Sequence, residues 1–235
     1  MKTIAIITER DGSKGIHKKN IVSVRKKPLI YYTLKAAKES RFLDKIIVST
    51  DDNKIARVAI DEGVSVPFKR PKNISQDTAS SKEVIKHALK FLEKNENYIP
   101  DIIVILQPTS PLRSPNLIDR SIQLLQKSKA SSVISVKKVK SHPFLNFRCK
   151  GSLLEPLKKD FEKYYQRQKF SNLYYPTGAI YTFWYDTLKK YDSYYGPRIK
   201  PIITSDEDSI DVDSLFDLFI CEMTMKHWNN YKEFF

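Results

Sequence analysis

The first 140 residues alternate short apolar runs with longer amphipathic stretches. The apolar runs are rich in β-branched residues and bounded by polar residues, which is typical of buried strands. The clearest of them are residues 4–7, 44–50 and 101–107. The stretches between them repeat apolar positions at helical spacing. This alternation predicts an α/β fold in which helices cover both faces of a mostly parallel sheet.

Capping signals bound the predicted helices. Pro28 suits a first helical position, and Asp52 can cap the helix that Gly63 ends. Ser80 and Glu83 have the spacing of a capping box. The predicted helices span residues 29–40, 53–63, 81–95, 116–128 and 215–225. Further extended segments are predicted at residues 64–69, 130–139, 177–185, 199–205 and 209–214.

The regular pattern stops between residue 142 and about residue 175. We expect short strands and a helical turn here, as an excursion from one domain that spans residues 1–235. We interpret residues 140–175 as a dimerisation excursion. A mobile surface arm is the alternative, and the aromatic residues argue against it. These aromatic residues are Phe144, Phe147, Phe161, Tyr164 and Tyr165.

Composition narrows the class of protein. Of the 235 residues, 41% are hydrophobic and 29% are charged, which is typical of a globular protein. The net charge of +14 favours acidic partners such as nucleotides or sugar acids. The lysines are spread along helix faces, so we expect no nucleic-acid partner.

Cysteine usage and apolar run lengths bear on localisation. Cys149 and Cys221 form no C-x-x-C motif, so zinc and redox motifs are excluded and a reducing compartment is expected. No apolar run is long enough for a signal-peptide core or a membrane helix. We therefore expect a soluble, cytoplasmic protein without a membrane partner.

A basic loop at residues 8–20 follows the first predicted strand. It holds two of the six glycines, Gly12 and Gly15, together with several cationic side chains. Glycine lets backbone N–H groups turn toward an anion, and lysine neutralises that anion. The spacing matches neither a Walker A loop nor a dinucleotide fingerprint. We expect a phosphate-binding loop, and an ordinary basic surface loop is the alternative.

Asp211 and Asp213 are the candidate metal ligands. They stand two apart in an extended segment, so both side chains point to one face. Paired carboxylates repel unless a cation or protons lie between them. Mg²⁺ commonly takes one or two carboxylates with water and phosphate oxygens. The alternative is a solvated turn in which Asp213 or Ser214 caps the next helix.

Three further segments give weaker signals. Gln107 lies at the base of a proline-rich loop after a buried strand, and Arg70 precedes a helix N-terminus. Arg167, between two glutamines, is a candidate carboxylate clamp. A plain loop, a helix cap and a solvated arginine are the respective alternatives. The four histidines are scattered and form no catalytic triad with a serine or cysteine.

Together these segments resemble the acylneuraminate cytidylyltransferase family, the CMP-sialic acid synthetases. The resemblance spans nearly the whole chain. It is carried in order by ERDGSKGIHKKN, IIVSTDD, RP…DTASS, LQPTSPLR, RQ, PTGAIY and DSIDVD. It implies a three-layer α/β/α fold of the nucleotide-diphospho-sugar transferase type, with a Rossmann-like sheet, and a homodimer.

The resemblance also implies roles for individual residues. The implied nucleotide-binding residues are Arg10, Asp11, Gly12, Ser13, Lys14, Lys19, Asn20, Arg70, Ala79 and Ser81. The implied sugar-binding residues are Gln107, Arg167, Gln168 and Tyr181. Asp211 and Asp213 would hold Mg²⁺. The implied catalytic residues are Arg10, Lys14, Lys19 and Asp211.

The implied reaction transfers CMP from CTP to the anomeric hydroxyl of a nine-carbon 2-keto sugar acid and releases pyrophosphate. The sugar would be sialic acid or a related nonulosonic acid. One alternative is an enzyme of the same fold with another sugar or base, such as legionaminate, pseudaminate or a GDP-sugar. The other is a non-catalytic, basic nucleic-acid-binding protein, against which the paired aspartates argue.

The chain departs from the family pattern at several positions. Glu9 and Asp11 replace small or neutral residues in the loop, and His17 stands where proline is common. Tyr175 and Thr177 replace a basic residue and an asparagine that are frequent in sialate enzymes. The sequence therefore leaves the identity of the sugar open.

Overall fold

The computed structural model of the chain describes residues 1–9, 15–16, 18–76, 79–159 and 171–233. Its strands are β1 (Thr3–Thr8), β2 (Ser23–Val24), β3 (Lys27–Pro28), β4 (Lys45–Ser49), β5 (Ile102–Leu106), β6 (Ser132–Lys138), β7 (Phe147–Lys150), β8 (Leu153–Pro156), β9 (Tyr174–Trp184) and β10 (Ile199–Ile203). Its α-helices are α1 (Leu29–Lys38), α2 (Asn53–Asp61), α3 (Ser81–Glu96), α4 (Pro115–Gln126), α5 (Tyr185–Tyr191) and α6 (Leu215–Lys232).

The central sheet has the strand order β10-β6-β9-β5-β1-β4. The pairs β1–β4, β1–β5 and β6–β10 are parallel, whereas β9 runs antiparallel to both of its neighbours. The predicted mostly parallel sheet is therefore confirmed. The carboxyl ends of the parallel strands and the start of β9 share one edge, which the register pair Lys138–Tyr174 marks. This is the edge at which open α/β sheets bind ligands.

Alternate residues of the central strands enter two separate cores. Along β5, Val104 and Leu106 pack in the core that α1 and α4 cover, and Ile103 and Ile105 pack in the core that α3 covers. All four side chains are almost fully buried. Burial on both faces explains the continuous apolar runs of the sequence. The predicted three-layer α/β/α architecture is confirmed.

The structure corrects the sequence prediction at several elements. Residues 64–69 form no strand and make only two isolated bridges, from Ser65 to Ile47 and from Lys69 to Thr50. Pro67 stands between these bridges and has no N–H to donate to a ladder. Helix α5 was not predicted, because its aromatic start continues the pattern of β9. Helix α6 extends beyond the predicted residue 225, and residues 209–214 are not a strand.

The excursion contains a 3-10 turn at Pro143–Leu145 and the hairpin β7–β8, as the sequence predicts. The two hairpin strands pair only with each other within the described part of the chain. Phe147, Leu153 and Leu154 on this hairpin are 44%, 72% and 64% exposed. Phe161, Tyr164 and Tyr165 lie outside the described residues. The dimerisation role of the excursion stays a prediction.

Among the helices that the structure describes, none is both long enough and apolar enough to cross a membrane.

Replacement of Asp52 by alanine should lower the free energy of unfolding by about 1 kcal/mol. The Asp52 side chain caps α2 by accepting hydrogen bonds from the backbone N–H groups of Lys54 and Ile55. Urea denaturation measures the change. The matched control is Asp61→Ala at the other end of the helix, where the exposed pair with Arg57 contributes less than about 0.5 kcal/mol. Equal losses in the two variants would contradict the capping role.

Candidate active site

A cavity of about 370 Å³ opens at the carboxyl edge of the sheet. It lies where the ends of β1 and β5, the start of α3 and the acidic segment before α6, residues 206–213, meet. The structure brings eight of the predicted site residues to its lining. These are Lys19, Asn20, Arg70, Ala79, Ser81, Gln107, Asp211 and Asp213. We refer to this space as the first cavity.

A second cavity of about 480 Å³ adjoins the first. Gln107 and Asp211 line both cavities, so these two residues stand at the junction between them. Tyr181, predicted as a sugar-binding residue, lines the second cavity together with Tyr175 and Asp217. The described candidate nucleotide-binding residues therefore line the first cavity, and Tyr181 lines the second. The Asp211 carboxylate and the Gln107 amide belong to both cavities.

Several predicted site residues lie outside the described residues. They are Arg10, Asp11, Gly12, Ser13, Lys14, Arg167 and Gln168. Gly15, within the basic loop, is described and lies directly against the acidic segment. A Cβ atom added at Gly15 would be 2.1 Å from the Asp213 carbonyl oxygen, so no side chain fits there. The loop and the acidic segment therefore meet through backbone atoms.

Lys19 connects the basic loop to the acidic segment electrostatically. Its Nζ lies 2.7 Å from Asp213 Oδ1, and its side chain is only 11% exposed. The Lys19 charge also partly opposes the burial that raises the pKa of Asp211, and it adds to the Ser214 hydrogen bonds that lower the pKa of Asp217. One ammonium group therefore acts on three carboxylates, of which Asp211 and Asp213 line the first cavity and Asp217 lines the second.

Asp211 is the most buried carboxylate of this group. Burial raises the pKa of Asp211, the Asp213 charge adds to the effect, and Thr109 and Lys19 oppose it. The backbone between the two aspartates is fixed, because Val212 N–H donates to the Thr109 carbonyl at 2.8 Å. Asp211 Oδ1 is buried and has no hydrogen-bond partner within the described part of the chain.

A hard cation fits this set of donors. An unpartnered buried carboxylate oxygen beside an exposed second carboxylate supplies oxygen ligands of the kind Mg²⁺ prefers. Among the described residues, no group of three His, Cys, Asp or Glu side chains could hold a metal ion. A site with only two protein carboxylates suits Mg²⁺, which completes its shell with water and substrate phosphates.

Comparison with known proteins places the chain in a family. Residues 4–204 match the family model described as cytidylyltransferase. The chain belongs to the cytidylyltransferase family. It is 35% identical over 221 residues to the N-acylneuraminate cytidylyltransferase of Streptococcus agalactiae serotype III, covering 92% of this chain and 52% of the relative. The chain thus spans about half the length of that relative.

Two relatives that match this chain over nearly their whole length are named for sugars other than acylneuraminate. The CMP-N,N'-diacetyllegionaminic acid synthase of Legionella pneumophila is 33% identical over 231 residues, covering 96% of this chain and 97% of the relative. The pseudaminic acid cytidylyltransferase of Campylobacter jejuni is 28% identical over 235 residues, with coverage of 96% and 97%. The resemblance to this family is confirmed.

Solved structures of cytidylyltransferases share the fold. The CMP:2-keto-3-deoxy-manno-octonic acid synthetase complexed with CTP is 16% identical, with a TM-score of 0.70 over 97% of this chain and 100% of that chain. The 4-diphosphocytidyl-2C-methyl-D-erythritol synthase from Anaerococcus prevotii is 14% identical, with a TM-score of 0.64 over 96% and 99%. The predicted nucleotide-diphospho-sugar transferase type of fold is confirmed.

Asp217, which lines the second cavity, is a residue of the candidate site that sequence reasoning missed. Its Oδ2 accepts hydrogen bonds from the Ser214 N–H at 2.8 Å, the Ser214 hydroxyl at 2.7 Å and the Asp213 N–H at 3.2 Å. The Ser214 contacts are the main reason why the pKa of Asp217 is lowered. Ser214 in turn accepts from the Asp217 N–H at 3.2 Å and caps α6. The S-x-x-D spacing of a capping box could have revealed this pair.

Arg70 and Asn20 line the first cavity but are engaged by other protein groups. The Arg70 guanidinium donates to the backbone carbonyls of Glu9 and Ser49, and its Nε donates to Ser49 Oγ at 3.2 Å. The Asn20 amide donates to the Glu9 carboxylate. Arg70 therefore joins the ends of β1 and β4, and a contact between Arg70 and a base stays a prediction. Glu9, a departure from the family pattern, faces Asn20.

Tyr181 enters the second cavity as a neutral phenol. Burial is the main cause that raises its pKa to about 12, with Tyr195 and Asp211 adding to the effect. Its ring packs edge-on against Tyr194 and Tyr195, with centroids 5.5 and 6.2 Å away. A protonated phenol beside Asp211 can donate a hydrogen bond to a ligand at neutral pH.

Gly178 should tolerate no side chain, because it combines a positive φ of 78° with a close neighbour. A Cβ atom there would be 2.7 Å from Gln107 Oε1. Gly63 is the matched control, since its φ is 75° and nothing lies within 4 Å of an added Cβ atom. We expect Gly63→Ala to cost about 1–2 kcal/mol from backbone strain and Gly178→Ala to cost more and to displace Gln107. Denaturant unfolding of both variants measures the difference, and equal losses would contradict the contact.

Proposed function

We propose that the chain transfers CMP from CTP to the anomeric hydroxyl of a nine-carbon 2-keto sugar acid and releases pyrophosphate. The observation that carries this proposal is the meeting of two cavities at Asp211 and Gln107. A transferase for two substrates needs neighbouring spaces whose shared wall faces the reacting atoms. The names of the relatives, which cover acylneuraminate, legionaminic acid and pseudaminic acid, support the chemical class.

In this proposal the first cavity takes CTP. Lys19 would offset negative charge on the triphosphate, together with Arg10 and Lys14 of the same loop. In the structure Lys19 is held by Asp213 at 2.7 Å, so its ammonium is already placed at the cavity before a nucleotide arrives. Ser81, the first residue of α3, and Ala79 just before that helix would line the cytidine pocket with Arg70. Catalysis would then consist mainly of positioning and charge neutralisation.

Asp211 and Asp213 would hold Mg²⁺. When bound, Mg²⁺ supplies charge neutralisation at the phosphates and lowers the pKa of a hydroxyl that it coordinates. The protein's part is to keep both carboxylates in place, through the Val212–Thr109 hydrogen bond and the Asp217 cap on the Asp213 backbone. The anomeric hydroxyl would attack the α-phosphorus in line and lose its proton to solvent, while the bond from the α-phosphorus to the bridging oxygen breaks and pyrophosphate leaves.

The second cavity would hold the sugar acid. Tyr181 and Gln107 offer hydrogen-bonding groups to its hydroxyl or carboxylate oxygens, and Arg167 and Gln168 would complete the binding site. Thr177 is buried and donates to Ser135 Oγ at 2.9 Å, so its hydroxyl stabilises the sheet. Tyr175 is 44% exposed at the entrance, where it can contact substituents of the sugar. Sialic, legionaminic and pseudaminic acids are the candidate substrates.

Assembly and location complete the proposal. We propose a homodimer formed through residues 140–175, supported by the exposed apolar side chains of the β7–β8 hairpin. We also propose that the enzyme works in the cytoplasm. The free thiols of Cys149 and Cys221 suit a reducing compartment.

Pyrophosphate release tests the proposed function. The protein is incubated with Mg²⁺, each of CTP, GTP, ATP and UTP, and each of N-acetylneuraminic, legionaminic, pseudaminic and 3-deoxy-octulosonic acids. Release only with CTP and one nine-carbon acid would support the proposal and identify the sugar. Release with GTP would favour a GDP-sugar enzyme instead. No release, together with salt-sensitive binding of DNA or RNA, would favour the nucleic-acid-binding alternative.

Asp211→Asn should reduce turnover at least about 100-fold, because bound Mg²⁺ supplies several kcal/mol of transition-state stabilisation. The neutral amide also removes the cost of burying a charge, so the melting temperature should not fall. Binding of Mn²⁺, followed by electron paramagnetic resonance, should weaken in parallel. The matched control is Asp206→Asn in the same segment, whose side chain is 72% exposed and pairs with Lys137. Unchanged Mn²⁺ binding in Asp211→Asn would overturn the metal assignment.

Leu154→Glu should convert the proposed dimer into a monomer, because a charge on the exposed hairpin cannot be buried against a partner without a counter-charge. Light scattering coupled to gel filtration measures the mass. Ile60→Glu is the control, since Ile60 is also exposed, at 56%, but lies on α2. The dimer proposal fails if the unsubstituted protein is a monomer, and the hairpin assignment fails if Leu154→Glu leaves a dimer intact.

A further inference from the structure

Arg113 closes the LQPTSPLR segment and is almost completely buried, with 2% of its surface exposed. Burying a guanidinium group is costly unless its donors are used, and apolar residues often fill such space with equal or better stability. The second cavity does not reach Arg113, and neither does the first. Arg113 therefore lies outside both cavities, and we expect it to act in some way other than direct contact with a ligand.

The Arg113 donors converge on the backbone of Gln107. Nη1 and Nη2 donate to the Gln107 carbonyl at 3.2 and 2.9 Å, and Nη2 also donates to Thr33 Oγ1 in α1 at 3.1 Å. Burial lowers the pKa of Arg113 to about 9, and the nearby Asp208 carboxylate opposes this shift. The group therefore remains charged at neutral pH. A forked cation thus ties the end of β5 to a buried threonine of α1.

The side chain of Gln107 is confined from the opposite direction. Its Oε1 lies 2.7 Å from the point where a Cβ atom of Gly178 would stand, so the amide packs against the bare backbone of β9. Arg113 on the carbonyl and Gly178 against the amide together leave Gln107 little freedom. Gln107 lines both cavities, so its placement sets the geometry of their junction.

The same loop is also tied to the acidic segment. The backbone N–H of Ser114, the residue after Arg113, donates to Asp208 Oδ1 at 3.0 Å. Asp208 Oδ2 accepts from the Ser205 hydroxyl at 3.1 Å. Asp208 therefore joins the loop to the segment that carries Asp211. Gln107 and Asp211, the two residues at the junction of the cavities, are thus both held by contacts with Arg113 and Ser114 or their neighbours.

We propose that Arg113 is a positioning residue that fixes the Gln107 amide at the junction of the two cavities. Resting on the proposed function, this placement orients the sugar acid more than CTP, because the Gln107 amide packs against Gly178, which lines the second cavity and not the first. Arg113 contributes through the Gln107 carbonyl and touches neither substrate.

Arg113→Lys keeps the charge and tests the role, because an ammonium group lacks the rigid fork with which Nη1 and Nη2 converge on one carbonyl oxygen. We expect the KM for the sugar acid to rise about 10-fold and the KM for CTP to change less than about 2-fold. The matched control is Arg120→Lys, since Arg120 is exposed on α4. If Arg113→Lys does not fold, Thr33→Val removes a partner of Nη2 with little change of shape and should shift the sugar KM in the same direction.

A double-mutant cycle separates positioning from general destabilisation. On a Gln107→Ala background, Arg113→Lys should raise the sugar KM no further, because Arg113 acts through Gln107. The inference would be overturned if the two substitutions multiplied each other's effect on the sugar KM. It would also be overturned if Arg113→Lys changed the KM for the sugar acid and the KM for CTP equally.

Nuclear magnetic resonance supplies a readout that does not depend on turnover. The Gln107 side-chain amide signal is identified by its loss in Gln107→Ala. It should shift in Arg113→Lys and stay in place in Arg120→Lys, and an unshifted signal would overturn the inference for any substrate. A shifted signal in a protein that releases no pyrophosphate would leave the positioning role intact and overturn only the proposed function.

Discussion

The strands of the central sheet bury side chains on both faces, with Val104 and Leu106 on one side and Ile103 and Ile105 on the other. Neither face can carry a polar site without an unpaired polar group in the core. Polar side chains therefore collect where strands end and loops begin. Both cavities lie at this edge, and Gln107, directly after β5, is the first polar residue that the buried strand can present to them.

Charge distribution at this edge depends on one contact between opposite ends of the sequence. Lys19 reaches Asp213 across 194 positions of chain, and Gly15 packs against the carbonyl of the same aspartate. A protein with a net charge of +14 thus places a short acidic stretch of its chain directly against its basic loop. The Lys19 side chain loses its conformational entropy during folding. A ligand that binds Lys19 therefore does not have to order this side chain when it binds.

Sequence patterns predicted the elements whose local signals agree with their environment. The β1 and β5 runs, the Asp52 cap and the Ser80–Glu83 capping box all appear where the sequence places them. The patterns failed where tertiary structure decides the outcome. Residues 64–69 have strand-like composition but only isolated bridges, and the antiparallel direction of β9 follows from the path of the chain, which no periodicity records.

The candidate site shows the same division. Gln107 was singled out because it follows a buried strand, and Asp211 and Asp213 because they stand two apart in a segment predicted to be extended. These patterns could not show that Gln107 and Asp211 would stand at a junction of two cavities, since that depends on packing between distant parts of the chain. Arg113 escaped notice for a related reason: its importance lies in burial, and a loop arginine looks like a surface residue in the sequence.

The excursion leaves the sheet after Lys138 and returns at Tyr174, and these two residues pair as neighbours on β6 and β9. Its ends are therefore held about 5 Å apart, whatever lies between them. For a flexible loop with fixed ends, doubling the length costs only about 0.6 kcal/mol. Insertions or deletions in this segment can accordingly be absorbed without disturbing the sheet. Because both ends emerge beside the second cavity, such changes in length offer a route to new substrates on an unchanged scaffold.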